Sequence, residues 1–205
     1  MATPAPPRHD LVGGRLCLDF CNTSRERVSA PEERFRSYPE VVGWAWRAGV
    51  LNAEEADRLA RLGARNPTQA LLVHERALRL RRSLRAIFTA LAGERRIRSS
   101  VLEVLNEVLA GAMARSQVVP TDDGFTWLWA QGGKALDCML WPVARSAADL
   151  LTDGPLALIR VCEGRGCGWI FLDTSRNRTR RWCDMRTCGN RAKARRHQER
   201  ARLSA

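Results

Sequence analysis

The chain has 205 residues, of which 45% are hydrophobic and 27% are charged. This composition is typical of a globular protein with a buried core and argues against global disorder. The first ten residues contain no apolar run of the signal-peptide type, and no apolar stretch reaches the roughly 20 residues of a membrane span. We therefore expect a cytoplasmic protein.

The formal net charge of +12 is concentrated near the C-terminal end of the chain. Residues 160–205 contain thirteen Arg or Lys and four acidic residues, which leaves only +3 for residues 1–159. A segment with such a charge favours an anionic partner.

The first predicted element is a short strand. Leu16, Leu18 and Phe20 alternate along the chain, which is the pattern of one strand face. Asn22 and Thr23 are residues that commonly end a strand in a turn.

The chain after this strand is predicted to be mostly helical. Residues 38–48 form a short helical candidate, and Asn52 with Glu55 fits the capping box of the next helix. Residues 68–91 repeat apolar side chains every three or four positions, as an amphipathic helix does. A matching stripe over residues 101–112 predicts an antiparallel partner for it.

The segment before the last helix of this region has the two-residue alternation of a β-strand. Residues 117–130 contain a turn sequence followed by alternating aromatic residues, which predicts a β-hairpin. Residues 141–151 give another helix, and Asp153-Gly154-Pro155 breaks it. The composition then becomes rich in Cys and Arg, so we place a domain boundary near residue 155.

Four of the seven cysteines form two pairs with the spacing of metal ligands. Four residues separate Cys162 from Cys167, four separate Cys183 from Cys188, and fifteen lie between the pairs. Four thiolates complete the tetrahedral shell of one structural Zn²⁺ and leave no position for water. An iron–sulfur cluster and four unrelated buried cysteines are the weaker alternatives. A catalytic zinc would need an open position.

The other cysteines are expected to be structural. Cys17, Cys21 and Cys138 lie among apolar residues, a usage that suits a reducing compartment. No set of residues in the chain suggests catalysis.

The spacing of the four paired cysteines predicts how the C-terminal segment folds. Apolar runs flank the first pair, so Cys162 and Cys167 are expected in the knuckle of a hairpin. Cys188 directly precedes a helical stretch, where free backbone N–H groups favour a thiolate. Knuckle, hairpin and helix together describe a treble clef. The predicted fold is α+β, with a mostly helical N-terminal domain over 1–155 and a small treble-clef zinc finger over 156–205.

Two basic elements accompany the second cysteine pair. In the helical stretch, like charges four residues apart repel one another with little acidic compensation, which an anionic partner would relieve. We predict nucleic acid, DNA rather than RNA, and keep open a solvated face or an acidic protein partner. The predicted contact residues are Arg176, Arg178, Arg180, Arg181, Arg191, Lys193, Arg195, Arg196, Arg200 and Arg202.

Both ends of the chain resemble known families. C-G-N-R at 188–191, preceded by W-I-F-L-D-T-S-R-N-R-T-R-R-W at 169–182, resembles the CGNR zinc finger family of bacterial proteins. G-G-R-L-C-L-D-F-C-N-T at 13–23 is similar to the opening motif of the ABATE domain, which precedes that finger. The resemblance implies a stress-induced transcription regulator, in which a treble-clef finger touches DNA and the N-terminal domain binds a ligand. It places zinc on the four paired cysteines.

The polar cluster after the first element allows two interpretations. Asp19, Asn22 and Thr23 either line a ligand pocket or close a turn through hydrogen bonds to local backbone. The turn is favoured, because such side chains commonly close turns.

The leading hypothesis is a regulator with a zinc finger that binds DNA and an N-terminal domain that senses a small-molecule ligand or forms a homodimer. One alternative is an RNA-binding or ribosome-associated zinc protein. The other is an enzyme whose site lies in the N-terminal domain, with the finger as scaffold.

Overall fold

The computed structural model describes residues 11–25, 32–130 and 135–203. Residues 1–10, where the absence of a signal peptide was predicted, lie outside this part of the chain. The helices are α1 (Leu16–Cys21), α2 (Tyr38–Arg47), α3 (Ala53–Arg65), α4 (Pro67–Ala92), α5 (Ser99–Met113), α6 (Leu140–Thr152) and α7 (Asn190–Leu203). The strands are β1 (Ser24–Arg25), β2 (Glu32–Glu33), β3 (Ser116–Thr121), β4 (Gly124–Trp129), β5 (Ile159–Val161) and β6 (Ile170–Leu172).

The three described sheets are antiparallel pairs: β1 with β2, β3 with β4, and β5 with β6. Together with the seven helices they confirm the α+β class and the mostly helical N-terminal region. No helix within the described ranges has the length and apolar character needed to cross a membrane.

The predicted strand over residues 16–20 is wrong, because this segment is helix α1. Cys17, Leu18, Phe20 and Cys21 are fully buried and Asp19 is buried with them, so this short helix has no exposed polar face. A helix buried all round has no amphipathic period, and its apolar residues can alternate by chance.

The other elements predicted for the N-terminal region lie where the sequence placed them, whereas the short pair β1–β2 was not predicted. The capping box of α3 is present: Glu55 N donates to Asn52 Oδ1 at 2.9 Å, and Asn52 N donates to Glu55 Oε2 at 2.8 Å. Helices α4 and α5 run antiparallel. Arg79 pairs with Glu107, while Ser83 bonds the carbonyl of Val101, so contacts that advance along α4 go back along α5.

The hairpin β5–β6 lies between two apolar clusters. Ile159, Ile170 and Leu172 belong to the large core formed with α1, α2, α4 and α6. Phe171, on the opposite face of β6, packs instead with Trp169 and the four paired cysteines. Because successive side chains of β6 point to opposite faces, this one strand packs against the N-terminal core on one face and against the C-terminal module on the other.

The N-terminal segment is held against this hairpin. Leu172 N donates to Gly13 O at 2.9 Å, which extends the pairing of β6 by one backbone contact. A side chain at position 13 would approach Leu18 Cβ to 2.8 Å and Asp19 N to 2.9 Å. Glycine at 13 thus allows the chain to turn into α1 beside β6.

Candidate metal centre

The structure brings the four paired cysteines into one buried cluster. Their Sγ atoms all lie within 4.8 Å of one another. Cys167 Sγ is 3.7 Å from Cys183 Sγ, and Cys183 Sγ is 3.8 Å from Cys188 Sγ. Zinc–sulfur bonds of about 2.3 Å in a tetrahedron place neighbouring sulfurs about 3.8 Å apart. The donor set therefore fits one Zn²⁺ in chemistry and in size.

The first pair lies at the turn of the hairpin β5–β6, as predicted. Cys162 N donates to Trp169 O at 2.7 Å, which closes the hairpin beyond the last strand pair. Gly166 adopts a φ of 72°, in the left-handed region that favours glycine. At position 164, a side chain would lie 2.9 Å from Cys188 Sγ and 3.3 Å from Cys162 Sγ. Glycine at 164 leaves room for the sulfurs to converge.

The second pair leads into helix α7, also as predicted. Asp184 caps a single π-helical turn, Met185–Gly189, by accepting a hydrogen bond from Thr187 N at 2.8 Å. Cys188 lies in this turn, next to the start of α7, where backbone N–H groups favour a thiolate. Arg191 Nη2 lies 3.4 Å from Cys188 Sγ and donates to it.

The close packing of the four sulfurs explains why a cation belongs here. Hydrogen bonds from Cys167 and Cys183 stabilise the thiolate of Cys162 and lower its pKa. Cys167 and Cys183 donate these hydrogen bonds, so their own pKa values are raised above the ordinary value. Four sulfurs this close cannot all ionise by themselves, whereas zinc holds every coordinating thiol as a thiolate.

Two family matches agree with this geometry. Residues 159–201 match the CGNR zinc finger. Residues 14–154 match ABATE, described as "Putative stress-induced transcription regulator". The chain belongs to the ABATE family. A comparison with curated protein sequences found no match.

In this ABATE protein the finger binds one structural zinc ion, and both resemblances drawn from the motifs are confirmed. Neither family is an enzyme family; one is of the regulator type and the other of the zinc-finger type.

Asp173 organises the basic loop of the finger, and sequence analysis had assigned it no role. Its side chain is fully buried and accepts hydrogen bonds from Ser175 N, Ser175 Oγ and Arg180 N. Burial opposes ionisation, but these hydrogen bonds hold the pKa of Asp173 below its ordinary value. The sequence signal was an Asp followed two residues later by Ser, the pattern of an Asx turn.

The predicted nucleic-acid contact residues differ in exposure. Arg180 and Arg195 are half-buried. The exposed members are Arg176, Arg178, Arg181, Arg191, Lys193, Arg196, Arg200 and Arg202.

Arg180 has a structural position inside the finger. Its Nε donates to Trp182 O at 2.9 Å, its Nη2 donates to Cys183 O, and its guanidinium lies 4.5 Å from the centroid of the Phe171 ring. Arg180 therefore joins the basic loop to a zinc ligand, and its guanidinium is already engaged there.

Two exposed arginines lie against Trp182, which packs on the zinc cluster. Arg181 pairs with Glu163, and its guanidinium is 5.5 Å from the Trp182 ring centroid. The guanidinium of Arg196, on α7, is 5.9 Å from the same centroid. Cation–π contacts thus connect the loop before Cys183 with helix α7.

The polar cluster of Asp19, Asn22 and Thr23 is buried and internally bonded. Asp19 Oδ1 accepts from Gly13 N at 2.7 Å, and Thr23 Oγ1 donates to Phe20 O at 2.7 Å. These two bonds are of the local kind that closes turns. A ligand pocket at these residues stays a prediction.

The three cysteines of the N-terminal region are shielded from solvent. Cys17 and Cys21 are fully buried, and Cys138 is 6% exposed. Burial raises the pKa of Cys17 to about 12 and raises that of Cys21 well above its ordinary value. Such thiols are poor nucleophiles at neutral pH, because the reactive species is the thiolate.

Proposed function

We propose that this protein is a zinc-dependent DNA-binding transcription regulator, with a treble-clef finger and an N-terminal sensing domain. One observation carries the proposal: both basic elements of the finger are anchored to zinc ligands. The loop 174–179 is held by Asp173 and, through Arg180, by the carbonyl of Cys183. Helix α7 starts two residues after Cys188. The metal thereby presents two cationic segments on a rigid support.

The charge on these segments calls for an anionic partner. Among the described residues, the side chains of Arg176, Arg178, Lys193 and Arg202 are exposed and form no ion pair with the protein. Glu199 is the one acidic residue of α7. The phosphate backbone of a duplex supplies a regular row of negative charges for such surfaces.

The decisive experiment measures the salt dependence of DNA binding by the zinc-loaded chain. The variant Arg176→Gln/Lys193→Gln removes one charge from the loop and one from α7, and neither side chain contacts a zinc ligand. If both meet phosphates, binding weakens and the slope of log K against log salt falls by about 1.8, since each contact contributes about 0.9. Arg47→Gln/Arg65→Gln, at exposed positions of α2 and α3, makes the same charge change as the control.

Two results would contradict the proposal. An unchanged slope in Arg176→Gln/Lys193→Gln would make the basic face a solvated surface. Tighter binding to a structured RNA than to a duplex DNA of the same length and at the same salt concentration would favour the RNA-binding alternative.

A further inference from the structure

A concave, strongly basic groove lies where the N-terminal helices meet the zinc knuckle. Its volume is about 840 Å³, within the range of pockets that bind small organic ligands. Five arginines line it: Arg82 and Arg85 from α4, and Arg95, Arg96 and Arg98 from the segment between α4 and α5. None of the described residues that line it is acidic.

One arginine lies in the buried wall of the groove and four lie at its exposed rim. Arg85 is 7% exposed, and its Nη1 donates to Cys21 O at 3.2 Å, which holds this guanidinium in the wall. Arg82, Arg95, Arg96 and Arg98 are exposed and form no ion pair with the described part of the chain. Their charges are therefore available to a bound anion.

Apart from Thr89, the rest of the described lining of the groove has no polar side chain. Its lining includes Ala86 and Ala90 of α4, Ile97 and Val101 around the start of α5, and Val161 of β5. Apolar walls with a few convergent charged groups are typical of small-molecule sites. A duplex backbone, by contrast, is bound mainly by charge and does not require an apolar wall.

We propose that this groove binds a small molecule that carries a chain of two or three phosphates, with the apolar wall receiving any organic group attached to it. The four exposed guanidinium groups match the multiple charges of such a chain, and arginine forms bidentate hydrogen bonds with phosphate oxygens. A single orthophosphate would satisfy only part of the set. The site spans both family matches, because Val161 and Gly168, each adjacent to a zinc ligand, also line it.

The test is calorimetric titration of the full, zinc-loaded chain at about 0.15 M salt with tripolyphosphate, ATP, orthophosphate and adenosine. We expect saturable binding of tripolyphosphate and ATP at one site per chain, and binding at least tenfold weaker for orthophosphate and adenosine. ATP binding more tightly than tripolyphosphate identifies a nucleotide as the occupant, whereas equal affinities identify the phosphate chain alone. Both results support the site.

Two variants separate the groove from general charge attraction. Arg95→Glu/Arg96→Glu reverses two rim charges and should weaken tripolyphosphate at least tenfold, whereas Arg47→Glu/Arg65→Glu, the same charge change elsewhere, should change it less than twofold. Ala86→Trp keeps all five arginines but fills the groove from an exposed helix position. It should weaken ATP at least tenfold.

Polyphosphate binding in the groove does not depend on DNA binding by the finger, and the two can fail independently. Absence of saturable polyphosphate binding, or unchanged ATP affinity in Ala86→Trp, overturns it. A loss of DNA affinity in Arg95→Glu/Arg96→Glu, in a protein that binds no tripolyphosphate, would make the groove part of the DNA surface instead. The salt-slope experiment on Arg176 and Lys193 would stand unaffected in either case.

Discussion

Asn22 and Ile170 exchange two hydrogen bonds across 148 positions of the chain. Asn22 Nδ2 donates to Ile170 O at 2.8 Å, and Ile170 N donates to Asn22 Oδ1 at 2.8 Å. The carboxamide thereby satisfies both backbone groups of a buried strand residue, as a neighbouring strand would. This contact joins the segment after α1 to the strand that follows the zinc knuckle.

Loss of this contact should be costly. Asn22→Ala leaves the N–H and C=O of Ile170 buried without these partners, and each such group costs about 1 to 3 kcal/mol. We expect the free energy of unfolding, measured by urea denaturation, to fall by about 2 to 5 kcal/mol. Asn52→Ala removes the cap of α3 at an exposed site and should cost about 1 kcal/mol. An equal decrease in the free energy of unfolding in the two variants would mean that the Asn22 contact stabilises the fold no more than an exposed helix cap does.

Gly164→Ala should abolish zinc binding without removing a ligand. Its Cβ would lie 2.9 Å from Cys188 Sγ and 3.1 Å from Cys188 Cβ, so Cys188 would be pushed out of the tetrahedron. Metal analysis of the purified variant should give well under one zinc ion per chain. Gly111→Ala, inside α5, should retain zinc and be neutral or slightly stabilising. Full zinc content in Gly164→Ala would show that the knuckle can shift to accept a methyl group.

Chelation of the zinc should unfold the finger and leave the N-terminal core folded. Apart from the cysteines, the described residues in the buried cluster of the finger are Trp169 and Phe171, so metal binding supplies most of its folding free energy. Hydrogen exchange should accelerate in residues 162–168 and in α7 and stay slow in α4. Strand β6 should keep part of its protection, because Ile170 and Leu172 belong to the large core. Cys183→Ser should reproduce this pattern without chelator, and protection of α7 in the metal-free protein would contradict it.

Asp19 should make stability depend on pH. Burial raises the pKa of Asp19 to about 6 in the folded protein, from an ordinary value near 3.8. The folded state therefore binds the proton of the Asp19 carboxyl group more tightly than the unfolded state does. This proton binding contributes fully to stability below about pH 4, and the contribution is lost as the pH rises through about 6. Two pKa units correspond to roughly 3 kcal/mol.

The measurement compares the free energies of unfolding of the parent and Asp19→Asn from pH 4.5 to 7.5. The free energy of unfolding of the parent minus that of the variant should fall with rising pH. Any loss of zinc at low pH affects both proteins alike and cancels in this difference. Asp57→Asn, at an exposed carboxylate, should give a nearly constant difference. A flat profile for Asp19→Asn would show that its carboxyl titrates alike in the folded and unfolded states.

Local patterns predicted most of the helices and the hairpins correctly. The capping box at Asn52, the apolar repeat of α4 and the paired cysteines each depend on interactions within a few residues or on ligand chemistry, which sequence spacing determines. Helix α1 was missed because residues 17–21 are all buried by distant elements, so no local period remained to indicate a helix.

The amino-acid sequence by itself determined the zinc ligands, the two families and the clustering of positive charge, since these follow from residue types and their order. The tertiary structure alone decided that Asn22 bonds Ile170 and that Arg180 contacts the interior of the finger. It also decided that five arginines from α4 and the following segment line one groove beside the knuckle. The physical reason is that these relationships depend on how elements distant in sequence pack against β5 and β6. A side chain's partners across such a distance carry no local signal.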